Sequence, residues 1–457
     1  MSAANNNYIT PDAAARLARI ALCTLAAALS GCTIYSALPL PKGNDLADRV
    51  ALPVPALDMD TVATLAVLNS PDLKAQRATM HVAEAQAFAA GLLPDPSFSY
   101  SYDHPYDRVI DSTDPRYPEY NAYGLGLSVD LQTLLTHRST HAAATASLEQ
   151  ARLNLLWQEW QTVAAARTLY AQQAIAEQRR SYLEAATEIY AQAAQNAQRA
   201  LAAGNVTIQQ VSTDRAVLID LQAQLGTAER SLLTAQQGLR TLLGVQPEVA
   251  IPLQPIGLPP VPDRAALTAS VARSSESRPD LRALQAGYRS QEEQVRTAVL
   301  QQFPDVSVGV TRARDVSNVH TIGLTATLTL PIFDRGRGKI AVQRATRAQL
   351  FAEYQARLDQ TTGDAWQLWN EMQQLNGQLT DLDQRLPELQ SSVDAARAAY
   401  LRGEFPPADF FTLVSSYLGA QATRFDLLQS LWSDSIALST LIGGPLPAAV
   451  NGSDPGH

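Results

Sequence analysis

The sequence is poor in cysteine, methionine, clustered positive charge and long apolar runs, and each shortage removes a class of protein. Its 457 residues hold two cysteines, Cys23 and Cys32, so the chain beyond residue 32 can form no internal disulfide. Past the first residue the methionines are Met59, Met80 and Met372, too sparse for a soft-metal ladder. Lys and Arg number 35 against 44 Asp and Glu, a net charge of -9, and the cations form no run. That excludes nucleic acid, whose phosphates call for clustered Lys and Arg. Beyond the N-terminal region no stretch approaches the roughly 18 uninterrupted apolar residues of a spanning helix. Any crossing of a membrane must then be made by strands.

The N-terminus itself carries Arg16 and Arg19, the apolar run from Ile20 to Leu29, and then Leu29-Ser30-Gly31-Cys32. A positive stretch, a short apolar core and small residues before a cut make a secretory signal rather than a membrane span. The last four residues resemble the lipobox of bacterial lipoproteins, which implies cleavage before Cys32 and acylation of its sulfur. The next residue is Thr33 and not Asp, which by the same resemblance implies sorting to the outer membrane. Residues 1–31 are expected to be the signal and 32–57 a lipidated extension.

The rest of the chain is one unit written twice. Asn69-Ser70-Pro71-Asp72-Leu73 matches Ser277-Arg278-Pro279-Asp280-Leu281, and Pro94-Asp95-Pro96-Ser97 matches Pro304-Asp305-Val306-Ser307. Gly124-Leu125, Ala203-Gly204 and Leu243-Gly244 have counterparts in Gly323-Leu324, Arg402-Gly403 and Ile442-Gly443. Five landmarks in one order define a first repeat over 58–246 and a second over 263–445. Between them 247–262 is a stiff, extended, Pro-rich linker, and 446–457 is a disordered tail. Each repeat reads helix, strand, loop, strand, very long helix, turn, helix. Residues 142–203 contain neither Gly nor Pro, and as a helix they would run roughly 90 Å. In the counterpart, 340–401, Gly363, Gly377 and Pro387 intervene, which predicts a kink or break near Pro387. Abundant Ala and a thin apolar stripe favour side-by-side, coiled-coil-like packing.

Four segments alternate with period two. Phe98, Tyr100 and Tyr102 alternate with serines, and Tyr123, Leu125, Leu127, Val129 and Leu131 with Gly, Ser and Asp. Val306, Val308 and Val310, then Ile322, Leu324, Ala326, Leu328 and Leu330, do the same against Gly, Ser and Thr. A half-buried soluble sheet gives such alternation too. The small, nearly uncharged off-face and the strand lengths suit a tilted membrane strand better. A membrane barrel tolerates no open edge and needs about eight strands or more, so four per chain require several chains. Three copies would supply twelve. The long polar loop from Asp103 to Asn121 belongs outside the cell.

Lipobox, repeats, strands and long helices together resemble the TolC-like outer-membrane factor family across the mature chain. Leu330-Pro331-Ile332-Phe333-Asp334-Arg335-Gly336 is similar to that family's strand-to-helix turn, and the phrases around Pro71 and Pro94 look closest to its heavy-metal-efflux branch. The resemblance implies a mainly α fold with a membrane β-barrel. Two tandem repeats would each give two barrel strands and long coiled-coil-like helices to a trimeric twelve-stranded barrel and periplasmic α-barrel. It implies a homotrimer in the outer membrane, lipid-anchored and extending into the periplasm, which works with a periplasmic membrane-fusion adaptor and an inner-membrane RND pump. The adaptor would dock at tips marked by Gly204, Gly403 and Tyr400, the first tip being the looser match. Asp409 would narrow the pore, with Thr412 where the family places a second aspartate; capping of the following helix is the competing role for Asp409.

No catalytic set, metal or cofactor is expected. His137 and His141 lie four apart without the glutamate of a zinc protease, and Gly336-Arg337-Gly338-Lys339 reads as a turn rather than a phosphate loop. Two other readings stand beside the tripartite efflux channel. They are the exit duct of a type I protein secretion system and a periplasmic coiled-coil lipoprotein without a pore.

Overall fold

The computed structural model describes residues 35–48, 56–105 and 120–446. The signal and lipobox with Cys32, most of the loop after Asp103, and the tail beyond 446 lie outside the described residues. The chain divides into two units, 1–46 and 47–457. In the first, residues 35–46 carry neither helix nor strand.

In the second unit the first repeat comprises α1 (Met59–Asn69), α2 (Pro71–Gly91), β1 (Ser97–Asp103), β2 (Ala122–Asp130), α3 (Leu131–Ala202) and α4 (Ile208–Leu243). The second comprises α5 (Arg264–Ala272), the single turn α6 (Ser274–Ser277), α7 (Pro279–Leu300), β3 (Asp305–Arg314), β4 (His320–Thr329), α8 (Arg337–Leu401) and α9 (Pro407–Ile442). The closing helices α4 and α9 are both 36 residues long. Gly204 and Gly403 follow the two long helices and Gly244 and Gly443 follow α4 and α9, all with positive φ. Glycine adopts that left-handed turn without the Cβ clash that other residues would meet.

The first long helix starts at Leu131 rather than at Ala142, because the chain passes from β2 into it without a loop. Asp130 makes that possible: its carboxylate accepts the Gln132 and Thr133 N–H groups at 2.7 and 3.3 Å, satisfying orphan donors of the first turn. Leu131 is thereby helical, not the last strand residue. The second repeat uses a longer transition, with Arg335 and Gly336 in the left-handed region before α8.

The break expected near Pro387 does not occur. α8 is one helix of 65 residues with Pro387 inside it. Its buried residues Ala365, Met372, Leu379, Leu386, Val393 and Tyr400 recur every seventh position, the period of a coiled-coil seam. Contacts from both sides of the exposed Pro387 hold the helix together where one hydrogen bond is lost.

The Pro-rich linker carries no helix and only a single bridge, and it is strapped down. Leu57 pairs with Leu253 in a parallel bridge. Tyr170, Gln173, Gln178, Arg240, Trp369 and Trp432 donate to the carbonyls of Gln254, Ile251, Ile256, Val249, Pro262 and Gly257. A segment rich in proline has few N–H groups to offer a strand ladder, so beyond that one bridge side chains from the helices satisfy its acceptors.

Candidate functional site

Two places in the second unit concentrate unusual surface: the strand sheet and the far end of the long helices. The four strands form one antiparallel sheet in the order β1-β2-β3-β4, and the β2–β3 pairing joins the two repeats. The register lays side chains in rows across the sheet: Phe98, Leu127, Val310 and Leu324 form one, Tyr100, Leu125, Arg312 and Ile322 the next, and Tyr102, Tyr123, Arg314 and His320 the last. One face is thus apolar and aromatic through most of its height. The other carries Ser, Gly and Thr, and at Gly309 a Cβ would meet the Leu127 carbonyl oxygen at 2.6 Å.

Among the described residues nothing covers the apolar face. Leu324 is 89% and Ile322 82% exposed, and among the described residues the outer edges of β1 and β4 have no strand partner. An aqueous protein seldom leaves a large contiguous apolar patch beside free strand edges. No helix among the described residues is long and apolar enough to cross a membrane.

At the other end, α3 and α4 of the first repeat pack on α8 and α9 of the second through Leu183, Tyr190, Val217, Leu221, Val393, Tyr400, Phe410 and Val414. Tyr400 and Phe410 stack with ring centroids 4.6 Å apart and planes within 10°. The Tyr400 hydroxyl donates to the Gln210 carbonyl at 3.2 Å and lies against the Asp214 carboxylate. Tyr400, Asp214, Arg397, Tyr190 and Phe410 border a cavity of about 450 Å³. Burial raises the Asp214 carboxyl above its ordinary range, while the Tyr400 hydroxyl and the Arg397 charge pull it partly back. Burial likewise pushes the Tyr400 phenol up.

The tip residues chosen from sequence therefore separate. Gly204 and Gly403 lie in exposed turns with open space where a Cβ would be. Tyr400 is buried, 5% exposed, so it shapes the turn from within and offers no surface to a partner. Asp409 and Thr412 are exposed on the first turns of α9. The cap position is Pro406 and no side chain caps this helix, so Asp409 is not a cap; its charge still suits a helix N-terminus.

Asp214 and Arg397 were not singled out from the sequence. The signal was present: Asp214, Leu221 and Ala228 share a heptad position on α4, all buried, so an acid stands where the pattern asks for an apolar residue. His137 lies against the Gly91 and Leu92 carbonyls at 3.3 and 3.2 Å, its ring 6.2 Å from that of His141. Of the Gly-Arg-Gly-Lys stretch expected to be a turn only Gly336, with φ 68°, lies in one; Arg337, Gly338 and Lys339 already belong to α8.

A family model described as outer membrane efflux protein matches residues 62–245 and 271–444. The chain is 25% identical over 276 residues to the cobalt-zinc-cadmium resistance protein CzcC of Cupriavidus metallidurans, covering 59% of this chain and 64% of that protein. It thus spans just under two thirds of that relative. It is 24% identical over 411 residues to the pyoverdine export outer membrane protein OpmQ of Pseudomonas putida, covering 85% and 86%. Among solved structures, CusC superposes with a TM-score of 0.69 at 18% identity over 88% of this chain and all of that one. VceC of Vibrio cholerae gives 0.70 at 18% identity over 85% and 97%. At this identity the two likenesses speak for a shared fold.

Proposed function

The chain belongs to the outer membrane efflux protein family, and from that membership we propose how its parts work as the outer-membrane channel of a tripartite efflux system. Three copies join β4 of one to β1 of the next and close a twelve-stranded barrel, with the apolar face toward lipid and the Ser, Gly and Thr face toward the lumen. The long helices carry the duct onward through the periplasm. An adaptor docks on the exposed turns at Gly204 and Gly403, which Tyr400 supports from inside, and an inner-membrane pump of the RND type delivers the cargo. Asp409 and Thr412 line the narrow end, where three symmetric carboxylates favour cations. A lipid on Cys32 tethers the mature N-terminus to the outer membrane.

The observation that carries this reading is the sheet: it has an apolar face that no described residue covers and two open edges, and its inner strand β2 leads directly, at Asp130, into a helix of 72 residues. Planar bilayers containing the detergent-purified protein test it. The expected result is a cation-selective conductance, with Asp409→Asn lowering the cation preference and leaving the pore open. Purified protein that never conducts would overturn the channel, and an unchanged selectivity in Asp409→Asn would remove Asp409 from the gate.

A further inference from the structure

Toward the strand ends remote from the helices, the apolar face of the sheet changes character. β3 places Arg312 and Arg314 on that face, in line with Val306, Val308 and Val310. Arg312 stands between Leu125 and Ile322, and Arg314 between Tyr123 and His320. A charge facing lipid is costly at mid-membrane and tolerated only near the headgroups. These two rows therefore mark headgroup level, and the tyrosines beside them suit the aromatic girdle of that level.

The two arginines are held differently. The Arg314 guanidinium lies over the rings of Tyr123 and Tyr120 at 5.1 and 5.9 Å, and its Nη2 donates to the Asn121 carbonyl at 2.8 Å. It is fixed in place by contacts that leave its charge uncompensated. Arg312 is exposed, with no hydrogen bond or ion pair among the described residues. The nearby described carboxylates are turned to other tasks. Asp103 falls on the opposite face of β1 by alternation, and Asp315 accepts the Ser317 and Val319 N–H groups at 2.9 Å each. The result is positive charge on the lipid side of the rim without a described anion to meet it. Same-face neighbours on a strand lie about 7 Å apart, close enough for both guanidinia to engage one headgroup.

From this juxtaposition we propose that Arg312 and Arg314 form a binding site on the lipid-facing rim for the phosphate of an outer-leaflet lipid headgroup. The guanidinium fork matches phosphate in shape and charge. Arg312 is the exposed ligand, and Arg314, oriented by its tyrosines, is the second. The site rests on the barrel reading given above, since only that reading puts this face against lipid.

Native mass spectrometry of the full-length, delipidated oligomer, titrated with bis-phosphorylated lipid A or with the same lipid dephosphorylated, tests the site. The wild type is expected to retain the phosphorylated form about tenfold better, the scale of one charge-assisted hydrogen bond. Arg312→Gln should erase most of that preference and Arg312→Lys should keep part of it, with the oligomer mass unchanged. Equal retention of the two lipids by wild type, a preference untouched in Arg312→Gln, or equal binding of inorganic phosphate alone would overturn the site. Failure of the barrel reading shows separately, as a protein with no detergent-stable oligomer. An arginine that merely reaches water from the rim predicts no preference for phosphate and thus the first of those contrary results.

Discussion

Residues that are equivalent by repeat do unequal work. The motif Pro-Asp opens both α2 and α7, yet Asp72 is exposed while Asp280 is buried. Asp280 receives a two-pronged ion pair from Arg278 at 2.6 and 2.9 Å, and Arg278 also donates to Thr361 at 2.7 Å and lies over Trp157. Ser70 takes the place of Arg278 in the first repeat, so the difference was written in the sequence, but burial was not. Asp214 is a sharper case. Its proton is held more tightly in the folded chain than in the unfolded one, so stability is fullest below the ordinary carboxyl value of 3.8 and is lost as pH rises through the raised value. Asn cannot ionise and keeps an uncharged oxygen against the Tyr400 hydroxyl. Melting temperature followed against pH should show Asp214→Asn gaining on wild type as pH rises above 3.8, and parallel curves would contradict the assignment.

At the scale of elements, the strands were legible because period two survives a one-residue error at either end: β1 to β4 fall where the alternation placed them, apart from terminal residues. The long helices were legible as lengths without Gly or Pro, and misjudged where that rule stood in for packing. α8 contains Gly363, Gly377 and Pro387 and remains continuous, because a seam of one buried residue per heptad outweighs a single missing hydrogen bond. The seam is readable in the sequence from the spacing of Met372, Leu379, Leu386, Val393 and Tyr400. Restoring the N–H with Pro387→Ala should strengthen the helix by up to about 3 kcal/mol. Amide exchange around Leu386 reads this, as slower exchange in the variant; unchanged or faster exchange would mean that Pro387 is accommodated by a distortion the helix needs.

For the whole molecule, the repeat explains how a chain whose described residues include no apolar helix long enough to span a membrane can still belong to one. Each copy gives two strands, and the β2–β3 pairing fuses them into a single four-stranded sheet whose free edges lie at its two sides. At the other end of the long helices the same duplication brings α3 and α4 against α8 and α9, so that Tyr400 of one repeat bonds to Gln210 of the other. Duplication was plain in the sequence through Gly204 and Gly403 and their neighbours. The buried contacts between the copies were not, because a spacing within one repeat says nothing of which face meets the other. One chain is an incomplete barrel that others complete, and sedimentation in density-matched detergent measures this directly. The expected particle holds three chains and loses solubility when detergent is removed; a single chain that stays soluble without detergent would rule the shared barrel out.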